Sequence, residues 1–301
     1  MNSKLIGHLA CFIAYSIFGI NIIVCKDLMG GHLISPMSIF CFRSIGAGLL
    51  FWLISLFFPT EKIERKDYIK IFGASVLGFF LTQITFLMAI PDITPMDCSI
   101  VSAISPILTM FIAAFALKEP ITMRKAGGVA LSFFGIIFLI LNSVSVSDSS
   151  RQTSIIGILL IIANCLSFSL YLGLFKPLIA RYSVVTFMKW IFLFSTLFSL
   201  PFAGKEILTF DYSTLSSTYF FELAYLIVCA TFITYFLIPV GQKRIRPTLV
   251  SMYSYVQPII ATTISICLGM DTLGWQKVLA ALMVFSGVMM VNFSKSRKWG
   301  K

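Results

Sequence analysis

Ten apolar runs, each roughly a bilayer's thickness long as a helix, follow one another through this chain and set what it can fold into. They cover residues 5–25, 36–58, 68–90, 97–117, 126–141, 154–175, 185–203, 219–240, 248–270 and 274–293. Helices are expected and barrel strands are not. A barrel strand alternates lipid-facing and lumen-facing residues over about ten positions, and these runs are continuously apolar. Composition agrees, since 58% of the 301 residues are hydrophobic and only 12% are charged, far from the make-up of a water-soluble domain. The expectation is an all-α integral membrane protein with ten transmembrane helices. The first run has only Lys4 before it and no small-residue cleavage site after it, so it reads as a retained anchor.

The net charge of +11 would suggest nucleic acid if the basic residues formed a patch. They lie instead in alternate short loops. Seventeen of the 23, among them Lys62, Arg65, Lys66, Lys118, Arg181, Lys243, Arg244 and the tail from Lys295 to Lys301, fall on the side of the N-terminus. Only Lys26, Arg151, Lys205 and Lys277 fall on the other, while Arg43 and Lys189 lie inside helices. This bias predicts a plasma (inner) membrane protein with both termini cytoplasmic. It leaves no basic surface with interleaved aromatics for nucleic acid.

The seven cysteines sit in or beside apolar runs without close pairs, and His8 and His32 lack metal-ligand spacing. No phosphate loop, nucleophile elbow or zinc motif occurs, so neither an enzyme nor a cofactor is expected.

The chain repeats itself. A shift of 152 residues lays Thr94–Pro106 on Arg246–Pro258, with both prolines of each segment in register, and pairs Lys125 with Lys277 and Gly135 with Gly287. A shift of 150 pairs Gly7 with Gly157 and Lys26 with Lys176. The duplicated unit is five helices long. Because five is odd, the second copy must enter the membrane from the opposite side, which makes an inverted repeat of the kind found in secondary transporters. The expected organisation is a first repeat at 1–141, an outward-facing linker at 142–153, a second repeat at 154–293 and a basic cytoplasmic tail at 294–301.

Phe18, Gly19 and Asn21 in the first run, Pro36 and Arg43 in the second, Pro106 in the fourth, Glu119 after it and Gly135 in the fifth resemble one repeat of the EamA-like branch of the drug/metabolite transporter superfamily. Phe18 stands where many members carry Trp, and Asp271 follows the ninth run where the first repeat has Glu119. The resemblance implies efflux or exchange of small metabolites by a monomer or weak homodimer. It does not imply which metabolite.

Repeat-matched polar positions give the candidate binding residues. Asn21 pairs with Tyr171, and Gln83 with Tyr235. Ser99 and Ser102, three apart and so on one helix face, pair with Ser251 and Ser254. An unpaired amide or hydroxyl in hydrocarbon costs roughly 2–7 kcal/mol, so deep Gln and Tyr residues point to a cavity. The serines also have a structural reading, a bond back to a helix carbonyl. Tyr255 and Gln257 add aromatic and amide character, although they and Tyr253 cannot all face inward. Arg43 lies about 9 Å along its helix, placed either to snorkel to the interface or to face the bundle, where it would attract anionic groups or latch helices. All twelve acidic residues lie in loops or near run ends, which argues against tight proton coupling and leaves Asp97 and Glu222 as the fallback relays.

Overall fold

The computed structural model describes residues 3–30, 34–117, 123–143, 153–209 and 216–292; most of the expected linker, the basic tail, Glu119 and His32 lie outside them. Among the described residues all regular structure is helical. We label the helices α1 (Ser3–Gly30), α2 (Pro36–Ser55), α3 (Arg65–Asp92), α4 (Pro95–Ser102 and Ser105–Leu117), α5 (Met123–Ser143), α6 (Ile155–Leu174), α7 (Val184–Thr209), α8 (Ser217–Arg244), α9 (Pro247–Cys267) and α10 (Trp275–Asn292).

Among the described residues, eight of these, α1–α4 and α6–α9, include stretches long and apolar enough to cross a membrane. α5 and α10 are helical for 21 and 18 residues and pack along each other.

Local sequence starts the helices where it should. Ser35 accepts a hydrogen bond from Ser38 N ahead of Pro36, Thr94 accepts one from Asp97 N ahead of Pro95, and Ser154 accepts one from Gly157 N. Each hydroxyl satisfies a first-turn N–H that has no partner within the helix, and proline fits the first turn because it has no N–H to leave unpaired.

The packing is inside-out relative to a water-soluble protein. Phe115 is 91% exposed and Phe221 71%, whereas Arg43 and Asp67 are fully buried. Only a hydrocarbon surround makes such an outer surface stable. At the centre, α2, α3, α7 and α8 meet through rings: Phe51 stacks on Phe192 at 5.2 Å, and Phe79 touches Phe192 at 4.5 Å and Tyr235 at 5.1 Å.

Polar side chains tie both ends of the bundle. At one end Asp67 accepts from Arg181 (2.7 Å), Tyr182 (2.8 Å) and Lys70 (2.9 Å). Glu61 accepts from Ser183 N, and Lys243 donates to the Tyr182 carbonyl. We call this the basic end.

At the opposite end Lys277 pairs with Asp271 at 2.7 Å and with Asp97 at 3.3 Å. Thr153 donates to Asp97 at 2.5 Å, and Asp271 accepts from Met96 N. Lys26 donates to the carbonyls of Ile90 and Pro91, at the finish of α3, where a cation complements the helix dipole.

Candidate functional site

Two irregularities in the helices open the middle of the bundle. In α3 the winding loosens to a π-helix over Val76–Phe80, and in α8 over Val228–Ile233. Such segments free carbonyls from the regular ladder and occur often at functional sites. Side chains take up the freed groups: Leu77 O accepts from Thr82 and from Ser167, both at 2.7 Å, and Ala230 O accepts from Thr234 at 2.7 Å.

The second irregularity precedes proline. Pro106 has no N–H for the carbonyl four residues back, so α4 breaks at 103–104 and Ser105 Oγ donates to Ser102 O at 2.8 Å. α9 likewise tightens to a 3-10 turn at Tyr253–Tyr255 before Pro258. Both helices thus depart from regular α-winding just before their prolines.

Between the two π segments and the two broken helices lies a cavity of about 70 Å³. Asn21, Gln83, Ser102, Tyr235, Ser254 and Gln257 line it, together with Tyr15, Thr82, Ser105 and Asn164 and the rings of Phe18, Phe86 and Phe168. Gln83 Nε2 donates to the Tyr235 hydroxyl at 3.0 Å, and that hydroxyl donates in turn to Gly78 O at 3.2 Å. Because Tyr235 spends its one proton on Gly78, it must accept from Gln83, which fixes the amide with Nε2 toward Tyr235 and Oε1 away from it. Gln83 Oε1, Tyr15 OH and Ser254 Oγ are buried without a hydrogen-bond partner.

Six of the eleven candidates read from the sequence therefore share one cavity. The other five do not line it. Ser99 and Ser251 bond back to Met96 O (2.7 Å) and Thr248 O (3.0 Å), their structural reading. Tyr171 is packed behind the π segment of α3, where a Cβ on Gly78 would stand 2.4 Å from its ring. Tyr255 leans on Phe285 at 5.6 Å, while Tyr253 bonds His8 at 2.7 Å, which leaves Gln257 as the member of that trio facing the cavity.

Arg43 neither snorkels nor reaches the cavity. It is fully buried, and it donates to Thr231 Oγ1 at 2.7 Å and to Ala230 O at 3.2 Å, so it latches α2 onto the π segment of α8. Lys189 packs its ammonium 5.0 Å from the ring of Trp52.

Sequence reasoning passed over Asn164, whose Nδ2 donates to Thr82 O at 2.6 Å. An amide in the middle of the apolar run at 154–175 carries the same burial cost that marked Gln83, and that signal would have found it. Tyr15 could have been found in the same way. Phe86 and Phe168 carry no such signal, since nothing distinguishes them from the other 28 phenylalanines.

Known proteins resemble this chain along its whole length. The profile of the EamA-like transporter family matches residues 5–141 and again residues 155–293. An uncharacterized inner membrane transporter, YicL of Salmonella typhimurium, is 25% identical over 99% of both chains. An uncharacterized transporter, YetK of Bacillus subtilis, is 27% identical over 71% of this chain and 66% of its own. A protein of Chlamydia muridarum named as an S-adenosylmethionine/S-adenosylhomocysteine transporter is 27% identical over 44% of this chain and 43% of its own. A crystal structure shares the fold with a TM-score of 0.66 across 98% of this chain and 99% of its own, at 16% identity.

Proposed function

Because the chain belongs to the EamA-like transporter family, a family of multi-pass membrane carriers and not of enzymes, we propose that it moves small amphipathic metabolites across the inner membrane by alternating access. In this reading the halves 1–141 and 154–293 are inverted repeats of five helices, both termini are cytoplasmic, and the cavity between the halves is the transport site. The solutes are amino-acid-like or drug-like, and the direction is efflux or exchange.

The observation that carries the reading is the bond between Gln83 and Tyr235, residues 152 positions apart. Under a pseudo-two-fold relation a residue touches its own counterpart only near the axis, as in an isologous contact. Ser44 with Thr196 (3.1 Å) and Ser132 with the Val284 carbonyl (3.1 Å) show the same separation of 152. Of the three pairs, Gln83 and Tyr235 line the cavity. Contacts away from the axis fit too: Gly7 packs on Arg244 and Ile245 at the close of α8, and its counterpart Gly157 packs on Asp92 and Ile93 at the close of α3.

Transport then requires each end to open in turn. Both ends are bridged between the halves, and a cavity of about 70 Å³ is well below the roughly 300–1,000 Å³ that small-molecule sites usually occupy. Entry from the cytoplasm would part Asp67 from Arg181 and Tyr182. Entry from outside would part Asp97 from Lys277 and Thr153.

One observation favours proton-coupled uptake as a second reading. The carboxyl groups of Glu222 of α8 and Asp27 of α1 lie within interaction range of each other, and such a pair of acidic groups is what a proton relay would use. The test is flux in proteoliposomes across a broad metabolite panel, with the membrane potential clamped and the pH gradient varied. Saturable flux independent of the pH gradient supports exchange. Flux that collapses with that gradient supports the proton-coupled reading, and no saturable flux for any solute contradicts both.

A further inference from the structure

The cavity wall combines three features. Its lining side chains carry no formal charge, it holds three buried polar atoms that no protein group satisfies, and phenyl rings flank them. Gln83 Oε1 can only accept a hydrogen bond, while the hydroxyls of Tyr15 and Ser254 can donate. All three residues are at least 95% buried, Tyr15 being 3% exposed, Gln83 5% and Ser254 2%. Leaving such groups unpaired is costly, and a bound solute is the natural partner for them.

Resting on the transport reading above, we infer that this cavity selects a solute without net charge that presents a hydrogen-bond donor beside an acceptor on a flat, partly aromatic body. The donor meets Gln83 Oε1. The acceptor meets Tyr15 OH or Ser254 Oγ, and the flat body lies among Phe18, Phe86 and Phe168. Net charge is disfavoured because the wall offers no counter-ion in a low-dielectric setting. A cation is the worst case, because the buried guanidinium of Arg43 bonds Thr231, one turn before Tyr235 on α8.

The experiment uses the purified full chain and three solutes built on one aromatic ring: its primary amide, its carboxylate and its aminomethyl form, the last two ionised at neutral pH. Binding is measured by calorimetry in detergent. The amide is expected to bind at least about tenfold more tightly than the carboxylate, with the amine weakest. Tyr15→Phe and Ser254→Ala should each weaken amide binding several-fold while leaving the melting temperature unchanged or raised, since each removes a hydroxyl that has no partner in the protein. Equal affinity for the three solutes, or undiminished amide binding in both variants, overturns the inference.

Flux in proteoliposomes separates this failure from failure of the transport reading. A chain that binds the amide but moves no solute of any kind contradicts transport alone. A chain that moves ionised solutes as well as neutral ones contradicts the selection alone.

Discussion

Gln83 of α3 and Tyr235 of α8, 152 positions apart in the chain, meet at 3.0 Å in the wall of the cavity. The same hydroxyl reaches Gly78 O in the loosened turn of α3, so the wall of the site and the irregular helix are one hydrogen-bonded unit.

Changing that unit should affect transport more than stability. Gln83→Leu and Tyr235→Phe are each expected to lower flux by about tenfold, equivalent to about 1.4 kcal/mol. Hydrogen bonds between helices in membranes average only about 0.6 kcal/mol, so the melting temperature should fall by no more than roughly 3 °C. Flux assays beside thermal melts decide the point, and normal flux in both variants would remove this pair from the site.

Arg43 should behave in the reverse way. It is buried, holds α2 to α8 and touches no cavity atom, so Arg43→Gln removes the donor to Thr231 Oγ1 and one of the two donors to Ala230 O, and is expected to cost about 1–3 kcal/mol. A drop of several degrees in melting temperature should appear, with the ranking of transported solutes unchanged. Arg43→Lys keeps the charge but loses the planar fork that reaches two acceptors, and should recover only part of the stability. A change in solute ranking without a change in melting temperature would place Arg43 at the site instead.

Much of this was legible before the fold was known. Of the repeat-matched polar residues, Gln83, Tyr235, Asn21, Ser102 and Ser254 line the cavity, as does Gln257, named for its amide, because burial in hydrocarbon penalises an amide or hydroxyl wherever it falls. The depth of a residue could be read from the sequence, but the direction it faces could not. Arg43 and Tyr171 are as deep as the cavity residues, yet they point into the π segments, whose extra residue per turn rotates every later side chain and leaves no mark in composition. α5 and α10 were found by pattern alone, and they pack as a pair away from the site.

Orientation rests on the distribution of lysine and arginine. Cysteine introduced at Ser147, in the linker, should react with an impermeant maleimide in intact cells. Reaction only after lysis would reverse the orientation proposed here.

The two end networks should be separable without unfolding the protein. The side chains of Arg181 and Lys70 are 49% and 56% exposed, so both can return to water when Asp67→Asn removes their partner, and the loss should be near the 0–1 kcal/mol typical of accessible pairs. Lys277 keeps Asp271 at 2.7 Å when Asp97→Asn removes its second partner. Melts of both variants should stay close to the parent, and a collapse of either would make that network a structural prop and not a gate.

Alternating access is tested most directly by labelling one cavity position from each side. With the native cysteines replaced by serine and a cysteine placed at Ser102, Asp67→Asn should raise its reaction with a maleimide supplied at the cytoplasmic face and lower it from outside, while Asp97→Asn should do the opposite. Reactivity that changes from the same face in both variants, or from neither, would contradict a cavity exposed to each side in turn.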